Sequence, residues 1–300
     1  MRALATGATG FIGRALLRRL EGPVVLTRDP AGAKGALGGA AVLGWQPDIT
    51  PAPAEALRGV EVVFHLAGES VASGRWNAAK KARIRDSRVL GTRNLVTGIE
   101  RSKERPRVLV SASAVGYYGS RGEEELDEGS APGDDFLAKA CRDWEAEAAK
   151  ARALGVRVVL ARIGVVLGKG GGALARMLPP FRLGLGGPLG SGRQWFPWIH
   201  LDDVVGLLLH AAERGEVDGA LNVVAPQPAT NREFTRALAA ALRRPAILPV
   251  PAFALRLALG EFAGVLLGSQ KARPRAAERT GYRFRHPSLA GALQDLVSGS

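Results

Sequence analysis

Eight residues near the start of the chain, Thr6-Gly7-Ala8-Thr9-Gly10-Phe11-Ile12-Gly13, have types and spacing that suit phosphate chemistry. They follow the apolar run Ala3-Leu4-Ala5 and precede Arg14-Ala15-Leu16-Leu17, an order that predicts strand, glycine turn and helix. There Gly7 permits the tight turn, Gly10 lets the backbone approach a pyrophosphate and Gly13 allows close helix packing. The free N–H groups at the helix start favour an anion. A dinucleotide uses all of these features, with Thr9, Phe11 and Ile12 in the same cofactor-binding segment.

The form of the dinucleotide is read about 20 residues past the glycines, where NAD sites place a carboxylate on the ribose and NADP sites a cation. Thr27 and Arg28 stand there. A guanidinium matches phosphate geometry bidentately, and Thr27 adds a hydroxyl without negative charge, so NADP is the expected cofactor. The alternative is that Arg28 is solvated and Asp29 reaches the ribose.

These residues need elements to hold them. Short apolar runs at 24–26, near 41–43, and at 60–66, 107–111, 156–160 and 221–224 read as strands. Helices are expected at 77–100, 136–153, from Asp202 and Asp203 to His210, and at 231–242 and 252–267. Alternation of this kind predicts an α/β Rossmann fold, a doubly wound parallel sheet with right-handed crossovers. After Leu167 the pattern changes to Gly-rich loops at 168–172 and 184–192 around an apolar helix, then a Trp-rich stretch. We therefore expect an NADP-binding domain of residues 1–167 plus 201–225. Residues 168–200 plus 226–300 would form a smaller, mostly helical substrate-side lobe.

Composition narrows the classes. With 46% hydrophobic residues, 300 residues can bury one large core or two unequal ones. The single cysteine, Cys141, excludes an intramolecular disulfide and a Cys-based metal cluster, which fits a cytoplasmic protein. No run of about 18 apolar residues predicts a membrane span. The net charge of +13 invites a nucleic-acid reading, but the arginines are scattered rather than gathered on one face. His200 with Asp202 and Asp203 has the residue types of a metal site. Asp at a helix start is more often a cap, however, and the chain has only four histidines, so no metal is expected. Gln194, Trp195, Trp198 and His200 are candidates for a substrate pocket wall, with core packing between lobes as the alternative for the tryptophans.

Several motifs together resemble extended short-chain dehydrogenase/reductases. They are the fingerprint, His65-Leu66-Ala67-Gly68, Ser111-Ala112-Ser113 with Tyr118-Gly119, and Trp198-Ile199-His200-Leu201-Asp202-Asp203. The resemblance is closer to the atypical NAD(P)-dependent epimerase/dehydratase branch, on Leu66-Ala67-Gly68-Glu69, Arg75-Trp76, Ser87-Arg88, Trp144-Glu145, Gly164-Val165-Val166-Leu167-Gly168 and the block 179–203. It covers nearly the whole chain. It implies an NADP-type Rossmann domain, a helical C-terminal lobe and a substrate cleft between them. It also places Leu66, Ala67, Gly68, Glu69, Arg75, Ser111, Ala112 and Gly164 along the cofactor groove.

Reductases of that superfamily use a Tyr acid/base with a Lys four residues on, whose charge stabilises the tyrosinate, and a Ser that orients the substrate oxygen. The corresponding segment here, Asp135-Phe136-Leu137-Ala138-Lys139-Ala140-Cys141, has no Tyr. Arg88 stands where extended relatives often carry an active-site Asn. Ser113 matches the serine, or else Ser111 and Ser113 are strand-end hydroxyls satisfying backbone groups. Tyr117 and Tyr118 are the only phenols near the expected nicotinamide, and Lys139 is left as a cation for a ribose or phosphate. Two functions follow. One is an NADP-dependent oxidoreductase or epimerase acting on a small carbonyl or sugar-like substrate through Ser113, Tyr117 or Tyr118 and Lys139. The other is a non-catalytic NADPH-binding, redox-sensing or regulatory protein.

Overall fold

Alternating apolar runs and amphipathic stretches build a seven-stranded sheet in the computed structural model, which describes residues 1–35, 37 and 39–298. The first half contributes β1 (Ala3–Thr6), α1 (Phe11–Leu17), β2 (Val24–Thr27), α2 (Pro30–Lys34), β3 (Ala41–Gly44), β4 (Val62–His65), α3 (Ala78–Arg101), β5 (Val108–Ala114), β6 (Glu125–Leu126) and α4 (Phe136–Ala149). There follow β7 (Arg157–Ile163), β8 (Val165–Leu167), α5 (Gly172–Arg182), β9 (Trp195–Phe196), β10 (Trp198–His200), α6 (Leu201–Glu213) and β11 (Gly219–Val223). The chain ends with β12 (Ala229–Thr230), α7 (Asn231–Leu242), α8 (Ala252–Leu259), α9 (Ala263–Leu267), β13 (Lys271–Ala272), α10 (Arg275–Arg279) and α11 (Leu289–Val297).

The sheet order is β11-β7-β5-β4-β1-β2-β3, with every pairing parallel. Strand order reverses between β1 and β4, and in open parallel sheets that switch point is where ligands bind. The strands bury both faces. Val62, Phe64, Val108 and Val110 pack with α1 and α6, while the alternate Val63 and Leu109 pack with Leu95 and Ile99 of α3. A third core joins α5, α7 and α11 around Trp198, Phe234 and Leu293. Among the described residues no helix is long and apolar enough to cross a membrane.

Several boundaries differ from those expected. Strands β5 and β7 run longer, because Ser113 and Arg162 extend the ladder in register while turning polar groups into one buried network. The helix expected to reach residue 153 ends at Ala149 and tightens into a 3₁₀ turn over Lys150–Leu154. The helix expected at 252–267 is two helices, broken at Gly260, whose φ of +61° ends α8. Segments for which no strand was expected also pair: β8 with β10, β9 with β12 and β6 with β13. Two- and three-residue strands of this kind leave no periodicity to read.

Candidate functional site

The fingerprint glycines are required by contact. Gly7 sits at φ +68°, and a side chain there would meet the Leu66 backbone at 2.7 Å. A Cβ on Gly13 would run into the Gly7 carbonyl and Ala8, so α1 packs onto the turn only through a glycine. Beyond them opens a cleft of about 490 Å³ along the carboxyl ends of β1, β2 and β4. It gathers Gly7, Thr9, Gly10, Thr27, Arg28, Leu66, Ala67, Gly68 and Glu69 from the expected set. Trp45, Pro47, Asp48 and Ser87 also line it, and sequence reasoning assigned none of these four to the cofactor groove. Trp45, Pro47 and Asp48 follow the short strand β3 in a Gly- and Pro-rich region where no motif marks them, while Ser87, on α3, was read only as part of the Ser87-Arg88 motif.

The other expected cofactor residues lie elsewhere. Phe11 turns away to pack under the loop of residues 168–172, where a Cβ on Gly168, Gly171 or Gly172 would meet its ring at 2.5–2.7 Å. Ile12 packs against the sheet core. Ser111 is buried with its hydroxyl directed to the Ala112 carbonyl, Ala112 belongs to the core, and Gly164 abuts Pro197. Arg75 reaches across to α8, donating to the Leu257 carbonyl at 3.4 Å.

At the end of β2, Asp29 is already engaged. Its carboxylate accepts the Gly32 N–H at 2.9 Å and caps α2, while its own N–H donates to Thr27 Oγ1 at 3.3 Å. Arg28 is exposed and, among the described residues, its guanidinium makes no hydrogen bond or ion pair. On the opposite wall the buried Lys80 donates to Glu69 Oε1 at 2.5 Å and to Ser73 Oγ at 2.7 Å. That bond holds the Glu69 carboxyl below the usual range. Arg88 donates to the Glu69 and Ile84 carbonyls and lies over the Trp144 ring, so it braces the loop instead of offering a polar group to a substrate. The cleft floor holds His65, with ring nitrogens 2.8 and 2.9 Å from the Thr6 and Thr92 hydroxyls. Burial pushes its pKa down to about 4.

The candidate catalytic residues divide into one buried network and one exposed cation. Ser113 Oγ donates to Glu145 Oε1 at 2.6 Å. Glu145 accepts two bonds from Arg162, each 2.9 Å, and Arg162 also donates to the Tyr118 hydroxyl at 3.0 Å. Tyr118 in turn donates to Asn222 Oδ1 at 2.7 Å. Its ring is fully buried, and burial pushes its pKa up to about 12. Tyr117 lies on the other side of Arg162, with the guanidinium 3.5 Å from its ring centroid. Lys139 faces solvent on α4 with no hydrogen bond or ion pair among the described residues. Asp135, four residues before it, caps the helix through the Ala138 N–H. Cys141 is buried, and its thiol is pushed up to about 11. Glu145 was legible only as part of a Trp-Glu pair.

The expected substrate wall is largely committed to internal bonds. Gln194 donates to the Leu189 carbonyl at 3.0 Å, and the Trp195 indole donates to Glu123 at 2.8 Å beneath Lys271. Trp198 is 1% exposed inside the third core and donates to the Gln227 carbonyl, so the core-packing alternative describes it. His200 caps α6 by accepting the Asp202 N–H. Asp202 therefore occupies the first turn, and Asp203 accepts from Tyr282 Oη and the N–H groups of Arg285 and His286. His200, Asp202 and His286 bring one ligand atom each within 4.8 Å of one another. The two imidazoles stack face to face, centroids 3.7 Å apart, and His200 Nδ1 is spent on the cap. The stack clasps α6 to the C-terminal segment.

Comparison with known proteins places this geometry. The profile of the NAD dependent epimerase/dehydratase family matches residues 3–224, and that of a domain of unknown function, DUF1731, matches residues 250–296. The chain is 43% identical to an Arabidopsis thaliana chloroplastic homolog of epimerase family protein SDR39U1, covering 99% of this chain and 87% of the relative. It is 41% identical to the Mus musculus SDR39U1, covering 99% and 100%. The crystal structure of human SDR39U1 with NADPH superposes with a TM-score of 0.90 at 38% identity, over 100% of both chains. The Thermotoga maritima UDP-glucose 4-epimerase, at 21% identity and a TM-score of 0.78 over 99% and 98% of the chains, shares the fold.

Proposed function

Because the chain belongs to the NAD dependent epimerase/dehydratase family, we propose that it binds NADPH in the cleft along β1, β2 and β4. The pyrophosphate lies over Gly7 and Gly10, and the 2′-phosphate meets Thr27 and Arg28. The observation that carries this reading is the division of labour at the end of β2. Both Arg28 and Asp29 line the cleft, but Asp29 is engaged in capping α2, whereas the Arg28 guanidinium is without a partner among the described residues. A carboxylate left free for the ribose would select the unphosphorylated form; a free guanidinium selects the phosphate. The NADPH in the human relative's crystal structure supports the same choice. We assign residues 1–167 with 201–225 to the dinucleotide domain and the remainder to a substrate-side lobe.

The test is equilibrium titration of NADPH and NADH against wild type and Arg28→Ala. NADPH binding should weaken by roughly tenfold or more, the scale of one charge-assisted hydrogen bond, while NADH binding stays within about twofold. Equal losses for both nucleotides would remove the 2′-phosphate role.

For chemistry, the family supports hydride transfer to or from a small carbonyl or sugar-like substrate, with Ser113 and Tyr117 nearest the end of β5. Ser113 would orient the substrate oxygen and Tyr117 would supply a hydroxyl. A second reading, a non-catalytic NADPH-binding regulator, is favoured by a specific observation. The hydroxyls of Ser113 and Tyr118 are already bonded inside the protein, and Lys139 lies in solvent. NADPH consumption across a broad carbonyl panel separates the two. Turnover lost in Tyr117→Phe supports the oxidoreductase, and tight binding with no oxidation supports the regulator.

A further inference from the structure

Of the eight large hydrophobic side chains exposed among the described residues, six lie in two adjoining segments of the C-terminal region: Leu183, Leu185, Ile247, Leu248, Phe253 and Leu257. The segments run side by side. The Leu248 N–H donates to the Gly186 carbonyl at 3.3 Å, the Val250 N–H donates to the Pro188 carbonyl at 2.9 Å, and Gly184 packs on Pro245. Helix α8 follows directly. Phe253 and Leu257, one turn apart, face outward at 73% and 78% exposure, while Leu255 on the opposite side is buried. A helix serving only the fold turns its apolar stripe inward. Scattered exposed leucines need no explanation, but a continuous set does.

Charge selects the partner. Arg182, Arg243, Arg244 and Arg256 are exposed beside these side chains, and among the described residues none makes an ion pair. No Asp or Glu occurs between residues 172 and 201 or between 234 and 260. A second copy of the chain, docked by the same patch, would oppose arginine to arginine with no carboxylate on either side. An anionic lipid surface satisfies both features, accepting the apolar side chains below the headgroups and pairing phosphates with the guanidinium groups. We propose that this face, residues 182–185 with 243–257, docks on the surface of a bilayer containing anionic lipid. The protein lies on the membrane and does not cross it. The patch adjoins the segment between β4 and α3, since the Leu257 carbonyl accepts Arg75.

The experiment is co-sedimentation of the full chain with vesicles of phosphatidylcholine alone and of phosphatidylcholine mixed with phosphatidylglycerol. Wild type should bind the mixed vesicles, bind the neutral ones weakly, and be released by salt. The double variants Phe253→Ser/Leu257→Ser and Arg243→Glu/Arg244→Glu should each bind roughly tenfold more weakly. Arg101→Glu/Lys103→Glu removes the same charge at the C-terminal end of α3 and should bind as wild type. Circular dichroism melting confirms that each variant is folded. Absence of binding at low salt overturns the proposal, as does an equal loss in the distant charge variant, which would mean net charge alone. A concentration-dependent dimer that Phe253→Ser/Leu257→Ser dissociates would assign the face to a second copy instead.

Discussion

Arg162 is the residue on which the polar interior near β5 and β7 depends. It lies 4% exposed, stacks on Tyr117, and shares two hydrogen bonds with Glu145 and one with Tyr118. Removing one member of a buried ion pair leaves the other charged without compensation, typically a loss of 3–5 kcal/mol. Glu145→Ala should therefore lower unfolding free energy by about that much in urea titration. A loss near that of an average surface substitution would show that water replaces the carboxylate. Tyr118→Phe, which removes one hydroxyl from the same network, should cost about 1–3 kcal/mol by the same measurement. Ser113, Tyr117 and Tyr118 were legible as candidates because their types and order are local. Their commitment to Glu145, Arg162 and Asn222 was not, since those partners lie 32 to 104 residues away.

Among the elements, α3 has the strongest influence on the cofactor cleft. Its first turn carries Lys80, which holds Glu69, and further along Ser87 accepts the Glu69 N–H at 3.0 Å. The helix begins at Asn77, whose side chain accepts the Lys80 N–H at 2.8 Å. Asn77→Ala should cost about 1 kcal/mol of stability through the lost cap. The variant should also weaken NADPH binding, because the fraying turn is the one that positions Lys80. A stability loss with unchanged NADPH affinity would place the cleft wall outside the control of that turn. Polar periodicity revealed this helix within one residue of its observed start. The same kind of reading failed at 252–267, where one glycine at φ +61° splits a continuous apolar run.

For the whole molecule, acid sensitivity follows from its buried and half-buried imidazoles. Burial lowers the pKa of His65 from 6.5 to about 4 and also depresses His200 and His210. In each case the folded state disfavours the proton, while the unfolded chain takes it up near 6.5. Between about 6.5 and 4 the unfolded state thus binds more protons, so stability is greatest above 6.5 and falls as pH drops. His65 alone accounts for about 3 kcal/mol across that window. Urea midpoints measured from neutral pH down to about 4 should decline, and His65→Gln should flatten the decline. An unchanged slope in that variant would place the proton uptake on other groups.

The sequence alone determined the parallel α/β architecture, the glycine turn and the cationic end of β2. Each rests on a local cause: hydrophobic period, a conformation that needs glycine, or a side chain beside its own strand. It also showed that the Tyr/Lys pair is missing. Only the tertiary structure decided that Asp29 caps a helix from the cleft edge, that Phe11 supports a Gly-rich loop, and that Trp198 is core. It alone also placed exposed leucines and arginines from two distant segments on one face. Those outcomes depend on which buried group finds which partner, and burial is a property of the packed chain, shared among residues too far apart for any periodicity to connect.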